Sequence, residues 1–273
     1  MAEEAGLRHP WERTIFFASV LVNLGLMIGG FFLLRTAHDW LGEHPLVART
    51  LKHVEVLATA LVFAPPAIVL VRNARRGFVL GNTVRVSKQQ IPEMYAVLER
   101  QCRQLGLDHV PDLHVSDQAI GLPAHAYSVW QQEYIVITQR FAEPTLDTNG
   151  DVVAFLLASE LGRIRLGHTR WWYELALAYV IRIPYLRNPM TQVETFSHDR
   201  YAAFLEPGGI RGLIAQASGR RMLQVVNVQD YLNQAREYGG VWAFLSNLTK
   251  STPHVAYRIK ALWKAGLLEV AKT

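Results

Sequence analysis

The sequence has very little cysteine. Cys102 is the only cysteine among 273 residues, so the chain can form neither an internal disulfide nor a thiolate zinc cluster. Charged residues make up only 19% of the chain, whereas half of it is hydrophobic, and it contains no internal repeat or low-complexity tract. The length fits one domain of ordinary size with an additional segment at the N-terminus.

The charge balance is positive, with a formal net charge of +5. A basic balance is typical of proteins that bind nucleic acid or anionic lipid headgroups. The high apolar content and the long uncharged runs favour lipid. We therefore expect the lipid bilayer as a partner, and no nucleic acid.

The N-terminal part contains an uncharged run over residues 15–34, IFFASVLVNLGLMIGGFFLL. At ~1.5 Å of rise per residue, a helix of this length covers about 30 Å, the thickness of a bilayer core. A cleaved signal peptide is the alternative interpretation. The run is too long for one, however, and residues 35–38 are a poor match to a small-residue cleavage site.

A second apolar run, Val56–Val71, predicts a second span over about residues 54–71 that is kinked at Pro65-Pro66. Trp11 and Trp40 suit the two membrane interfaces. Basic residues follow this run directly, at Arg72, Arg75 and Arg76. By the positive-inside rule, the sequence predicts an N-terminal membrane hairpin over residues 1–76 and a cytoplasmic domain over residues 77–273.

The part after the hairpin predicts a mostly helical α+β domain with a small β-sheet. Strands are expected at Phe78–Val86, Leu113–Ser116 and Tyr134–Thr138, and helices at Gln90–Gln104, Thr191–Leu205, Ile210–Arg236, Val241–Leu248 and from Pro253 to about Ala265. Trp171–Leu186 is too short and too charged to span a membrane. It is expected as a helix on the bilayer surface or as an amphipathic core helix.

The stretch 151–169, DVVAFLLASELGRIRLGHT, predicts a central helix because its apolar residues recur with helical spacing. Asn149 or Asp151 can cap its start. Ser159, Glu160 and Arg163 stand at positions i, i+1 and i+4. This is the spacing of the zincin motif H-E-x-x-H, in which the histidines bind zinc and the glutamate is the general base. Here the glutamate is present and both histidines are missing.

Residues 158–168 read A-S-E-L-G-R-I-R-L-G-H. From about Asn82 to Ala265 the chain resembles the membrane-bound zinc metallopeptidases of the HtpX and CAAX-prenyl-endopeptidase type, which are gluzincins. In that family the helix reads roughly A-H-E-L-G-H-I-x-x-G-H, so every position except the two histidine ligands is kept. The resemblance implies a zincin-type metallopeptidase-like domain.

The family's third ligand is the glutamate of an E-x-x-A-D segment on a later helix. The matching stretch reads T-F-S-H-D, so the resemblance implies that Thr195 replaces the ligand and that Asp199 is kept. The neighbouring Glu194 is rotated by about 100° on a helix and is expected to point elsewhere. The resemblance places His168 and His198 beside the site and not among the ligands.

Two further segments carry the resemblance. The strand that lines the family's substrate groove usually reads Asn-Ala-Phe/Tyr, and this chain has His125, Ala126 and Tyr127 there. The family's C-terminal motif H-P-x-x-x-x-R-I-x-x-L is matched by Pro253, Arg258, Ile259 and Leu262, with Thr252 in place of the histidine. The resemblance thus implies an altered groove above the altered ligand positions.

The replaced ligands are unsuited to zinc. Serine and threonine hydroxyls are poor neutral ligands, and a guanidinium stays protonated and repels a divalent cation. We therefore expect zinc to be lost and Arg163 to pair with Glu160, Asp199 or both, which leaves Glu160 vestigial. A substitute metal site with His168 and His198 is disfavoured, because His168 lies ~12 Å along the helix from Glu160. Ser159 has no histidine one turn away on its helix to activate it as a nucleophile, which leaves His125 or His198, approaching in space, as the alternative.

The leading interpretation is a membrane-anchored pseudopeptidase that acts as a binding, scaffold or regulatory subunit of a membrane complex. It could hold an extended peptide segment by strand addition. The first alternative is an active membrane zinc metalloendopeptidase with unusual ligands. The second is a purely structural membrane protein whose domain supports homo-oligomerisation or packing around other subunits.

Overall fold

The computed structural model describes residues 6–43, 48–117, 123–129, 132–142 and 150–268. It confirms a mostly helical chain with a small mixed sheet. The helices are α1 (Glu12–Glu43), α2 (Ala48–Gly81), α3 (Pro92–Gln104), α4 (Gln139–Ala142), α5 (Asp151–Arg165), α6 (Trp171–Ala176), α7 (Arg187–Leu205), α8 (Ile210–Ser218), α9 (Arg220–Leu223), α10 (Val228–Glu237), α11 (Val241–Leu248) and α12 (Val255–Lys264). The strands are β1 (Val84–Val86), β2 (Asp112–Ser116), β3 (Ala124–Val129) and β4 (Gln132–Thr138).

The four strands form one sheet in the order β1-β2-β4-β3. β2 and β4 run parallel, whereas β1 and β3 are antiparallel to their neighbours. Residues 134–138 of β4 are buried, as expected for a strand between two neighbours and beneath helices. β3 is an edge strand of this sheet, with Ala126 opposite Ile135 of β4.

α5 is the element around which the domain packs. Residues 152–162 and Ile164 are buried, and the helix contacts α3, α7, α8, β3 and β4. The structure confirms the prediction of a central helix, although α5 ends at Arg165 and Gly167 takes a φ of 78° beyond it. A positive φ of this kind ends helices, since glycine adopts it without steric cost.

Two glycines allow neighbouring helices to approach α5 closely. A Cβ atom added to Gly162 would lie 2.6 Å from the Cβ atom of Tyr201 in α7. A Cβ atom added to Gly212 in α8 would lie 2.5 Å from the Cβ atom of Phe155 in α5. Both separations are far below van der Waals contact, so these helix pairs need glycine at their crossing points.

Within the described residues, one helix, Glu12–Leu33 in α1, is long and apolar enough to cross a membrane, judged by length and composition. Many of its apolar side chains, such as Phe17 and Ile28, are exposed. α1 packs against α2, which contains Pro65 and Pro66 and the second predicted span. Many side chains of residues 54–71 lie outside the described residues, as does that of Trp40, so the second span stays a prediction.

The first half of α1 also packs against the domain. The Phe16 ring stacks on the Tyr173 ring with a centroid separation of 5.1 Å. Farther along α1, the Asn23 side-chain oxygen accepts a hydrogen bond from the backbone N–H of Tyr179 at 2.8 Å. Before α1, the Arg200 guanidinium donates to the backbone carbonyl of Arg8 at 3.1 Å. α1 therefore runs alongside α7 in the opposite direction.

Three sequence-based predictions about element bounds are wrong. Phe78–Gly81 belongs to α2, and the strand is limited to β1, whose three residues pair with β2. The segment Trp171–Leu186 is helical only as far as Ala176. Its later backbone forms turns, because Pro184 disfavours helix in the residue before it and Asn23 takes up the Tyr179 N–H.

The third error is the single helix predicted over Ile210–Arg236, which is three helices, α8, α9 and α10. Gly219 interrupts it with a φ of 74°, and the Asn227 side chain caps α10 by accepting from the Asp230 N–H at 3.1 Å. The expected polar cap of α5 is also wrong for Asp151. Gly150 is the N-cap there, Asp151 is the first helical residue, and Asn149 lies outside the described residues.

Candidate functional site

α5 carries Ser159, Glu160 and Arg163, and the Glu160 side chain reaches β3. The Arg163 Nε atom lies 2.9 Å from Glu160 Oε2, and the backbone N–H of Ala126 donates to the same oxygen at 2.7 Å. Glu160 is buried, and the Arg163 side chain is 21% exposed. One carboxylate oxygen thus accepts from a guanidinium and from the edge strand of the sheet.

The environment of Glu160 has opposing effects on the pKa of its carboxyl. Burial raises the pKa of the carboxyl above its ordinary value, while the Arg163 charge and the Ala126 and Arg163 hydrogen bonds act to lower it. Burial is the largest effect, and the pKa of Glu160 is raised on balance. The two donors therefore compensate part, and not all, of the cost of burying this carboxylate.

Asp199 lies on α7 and does not pair with Arg163. Its two oxygens accept from Arg258 of α12, from Nε at 2.7 Å and from a terminal nitrogen at 2.6 Å. Both side chains are buried, and Arg258 also donates to the Gln216 side-chain oxygen at 2.7 Å. Of the two expected partners of Arg163, Glu160 is confirmed and Asp199 is not, because Arg258 satisfies the Asp199 carboxylate in bidentate fashion.

Sequence reasoning missed the role of Arg258, although the signal was available. Arg258 lies in the segment that matches the C-terminal motif of the resembling family. A buried arginine next to a helix that carries a buried aspartate favours a pair, since neither charge is stable alone in the interior. Spacing along the chain could not show which of the two arginines reaches Asp199.

Thr195 and Glu194 have separate partners. The Thr195 hydroxyl donates to the backbone carbonyl of Thr191 at 2.7 Å, within its own helix. Glu194 is buried and accepts a hydrogen bond from the Tyr173 hydroxyl at 2.6 Å. The expectation that Glu194 points elsewhere is confirmed, because its carboxylate is bound to α6.

His168 and His198 belong to a buried chain of hydrogen bonds. His168 Nδ1 lies 2.9 Å from His198 Nε2, and His168 Nε2 lies 3.1 Å from Glu12 Oε1 of α1. The other Glu12 oxygen accepts from the Ser197 hydroxyl, which in turn accepts from the His9 backbone N–H at 2.8 Å. These residues therefore join the start of α1 to α7 and to the turn after α5.

Burial and the nearby Arg163 charge hold the pKa of His198 well below its ordinary value, so the ring is neutral in the folded protein near neutral pH. Sequence reasoning missed Glu12 as the partner of His168. The signal was its position, since an acidic residue directly before a long apolar run either lies in the headgroup layer or is paired.

His125, Ala126 and Tyr127 lie on β3, at the edge of the sheet. The Ala126 N–H points away from β4 and towards Glu160. The Tyr127 ring stacks against Tyr134 of β4 with a centroid separation of 6.1 Å, and burial raises the pKa of Tyr127 to about 12. The structure thus brings Ala126 to the Glu160–Arg163 pair, whereas Tyr127 packs along the sheet.

The zinc that the resembling family binds does not fit these residues. Two of the implied ligand positions carry hydroxyls, and the third carries a guanidinium already bound to Glu160. In the described part of the chain, no cluster of three or more histidine, cysteine or acidic residues has a geometry that could hold a metal ion. The arrangement instead joins α5 to β3, because the Glu160 carboxylate accepts from the Ala126 N–H while it pairs with Arg163 of its own helix.

Comparison with known proteins adds no assignment. No protein-family model matches the chain, and neither a curated protein nor a solved structure shows significant similarity to it.

Proposed function

We propose that this protein is a membrane-anchored, metallopeptidase-like pseudoenzyme that acts as a binding, scaffold or regulatory subunit of a membrane complex. The observation that carries the proposal is the contact between Arg163 and Glu160, 2.9 Å apart, at the spacing where a zincin has a histidine ligand and the general base. A fixed cation there supplies the charge that zinc would supply to the glutamate, without a bound water to activate.

The proposal includes the arrangement in the membrane. α1 and α2 form a hairpin with spans at about residues 15–34 and 54–71, and the zincin-type domain lies on the cytoplasmic side. The exposed apolar surface of α1 and its packing against α2 support the hairpin. The arginines at positions 72, 75 and 76 support the orientation.

The binding role is assigned to the edge of β3. An edge strand can accept an extended segment by strand addition, through its outward N–H and C=O groups. Here the Glu160 carboxylate already occupies the outward N–H of Ala126 at 2.7 Å. A partner segment therefore either pairs with β3 on one side of Ala126 or displaces Glu160, and the Arg163 contact opposes the displacement.

Restoring the ligands tests the proposed origin of the site. The variant Ser159→His, Arg163→His and Thr195→Glu should bind about one zinc per chain, as a catalytic zinc site does, and should show peptide cleavage that a chelator abolishes. The control carries Ser159→His and Arg163→His with Thr195 unchanged and should hold zinc more weakly, because one ligand is missing.

The outcome that would contradict the proposal is a folded triple variant with no more zinc than the native protein. In that case α5 and α7 do not have the metallopeptidase geometry. Folding is checked independently by the thermal unfolding midpoint, so that a collapsed variant is not mistaken for a negative result.

A further inference from the structure

Helix α11 leaves nearly all of its apolar side chains uncovered. Trp242 is 83% exposed, Val241 70% and Phe244 56%, and Leu245 and Leu248 are exposed as well. The helix has no charged residue, and its sequence is VWAFLSNL. A contiguous apolar surface of this kind marks an interaction site, since apolar area gains about 25 cal/mol for each Å² removed from water.

Side-chain hydrogen bonds fix α11 to the first turns of α7. The Asn188 side chain donates to the backbone carbonyl of Leu248 at 2.8 Å, and the Gln192 side chain donates to that of Asn247 at 2.8 Å. The Thr191 hydroxyl donates to the backbone carbonyl of Ser251 at 2.8 Å. α11 therefore has a set position at the N-terminal end of α7.

That end of α7 also contacts apolar residues of the candidate membrane span. Met190 and Val193 are buried in a cluster that also contains Ile15, Phe16 and Val20 of α1. These α1 residues lie in the first part of the segment Glu12–Leu33, which is long and apolar enough to cross a membrane. α11 is thus held at the same end of α7 as these α1 residues, near the depth of the bilayer interface if α1 crosses.

The neighbouring surface has the chemistry of a membrane interface. Trp171 and Trp172 of α6 are 53% and 44% exposed, and α6 packs on α2. Arg187 and Lys250, which flank the contact between α7 and α11, are exposed. Exposed tryptophans and basic residues are enriched at the headgroup level, where lipid surfaces are often anionic.

We propose that α11 is an interfacial helix whose apolar side chains, led by Trp242 and Phe244, insert into the headgroup and upper acyl region of the bilayer beside α1. This inference rests on the proposed membrane anchoring by α1 and adds a second contact with lipid. This contact sets the orientation of the domain. The N-terminal end of α7 then lies at the bilayer, and its C-terminal end points away from it.

Site-specific labelling of the full chain tests the proposal. Phe244→Cys on α11, Leu24→Cys in the α1 span and Gly208→Cys just beyond the far end of α7 are each labelled with an environment-sensitive maleimide dye and placed in phosphatidylcholine–phosphatidylglycerol vesicles. A Cβ atom at Gly208 meets nothing within 4 Å, so the control is sterically neutral. The native Cys102 stays unlabelled, because it is buried and burial raises its thiol pKa to about 12.

The proposal predicts that lipid-borne spin labels quench the dyes at positions 24 and 244, while aqueous iodide quenches only the dye at 208. Leu245→Cys, at a second exposed position on α11, should behave like 244. Iodide quenching at 244 equal to that at 208 would overturn the proposal. So would protection of 244 from both quenchers, which indicates a protein neighbour or a second copy. Failure of lipid quenching at 24 would instead overturn the anchoring itself.

Discussion

At the scale of a single residue, Glu160 is a buried carboxylate that is satisfied by two donors from different elements. Its Oε2 atom receives the Arg163 Nε–H at 2.9 Å and the Ala126 N–H at 2.7 Å. One donor alone would not offset the free energy of burying the carboxylate, because desolvation of a charged group costs more free energy than one hydrogen bond contributes. Arg163 and β3 are therefore both bound to the Glu160 carboxylate.

Removal of Arg163 should destabilise the fold through Glu160. We expect Arg163→Ala to lower the free energy of unfolding by about 2–3 kcal/mol, because a buried charge loses its ionic partner. In the double variant with Glu160→Gln, part of this loss should return. Chemical denaturation of the native protein, the two single variants and the double variant gives the coupling energy between Arg163 and Glu160. A value near zero would show that the two side chains do not stabilise one another.

His198 predicts a dependence of stability on pH. Its pKa is well below the ordinary value in the folded protein, mainly because of burial, with the nearby Arg163 charge next. Between that lowered pKa and ~6.5, the ordinary value, the unfolded chain binds a proton that the folded chain does not. The stability from this group is therefore present above pH ~6.5 and is lost as the pH falls towards the folded pKa.

The measurement is the unfolding free energy from neutral pH downwards, compared with that of His198→Asn. The variant should show a flatter profile just below pH ~6.5, the ordinary histidine pKa. Equal slopes for the two proteins in this range would show that another group carries the dependence. Glu160 acts with the opposite sign, since its pKa is raised and its contribution is lost as the pH rises.

At the scale of elements, the α5–α7 crossing depends on Gly162. A Cβ atom there would lie 2.6 Å from the Cβ atom of Tyr201, which no rotamer change can relieve. We expect Gly162→Ala to cost about 1–3 kcal/mol by forcing the helices apart. Gly208→Ala is the control, because its Cβ meets nothing within 4 Å. Equal thermal midpoints for the two variants would contradict the account of this crossing.

The elements also show what sequence patterns can predict. α5 and α3 were predictable, because apolar residues recur with helical spacing and Pro92 stands at the start of α3. The end of α6 at Ala176 was not, because a tertiary hydrogen bond from Tyr179 to Asn23 competes with the helix. Contacts between side chains of distant elements do not change the local periodicity of the sequence.

At the site, the sequence predicts the local pair, whereas for the long-range pair it indicates only that Arg258 needs an acidic partner and not which one. Glu160 and Arg163 are three residues apart on one helix, so helix geometry alone brings them together. Asp199 and Arg258 are 59 residues apart on different helices, and only the fold decides their pairing. For the same reason Glu12, 156 residues from His168, was not recognised as its partner.

At the scale of the whole molecule, the N-terminal helix and the domain form a continuous structure. Glu12 is buried against His168 and Ser197, and Phe16 stacks on Tyr173. A helix that packs on the domain through Phe16 and exposes apolar side chains such as Phe17, Leu21 and Ile28 suits an anchor that holds the domain at the bilayer. The start of α1 is therefore joined to the domain by side-chain contacts.

The central claim is that the Arg163 guanidinium occupies the place of a catalytic zinc ion. Its most direct test is the metal content of the full-length native protein, purified in mild detergent, incubated with zinc and dialysed. We predict far less than one zinc per chain, unchanged in Glu160→Gln. About one tightly held zinc per chain, the stoichiometry of a catalytic site, would contradict the account whether or not Glu160→Gln retains that zinc, because the general base of a zincin is not a metal ligand.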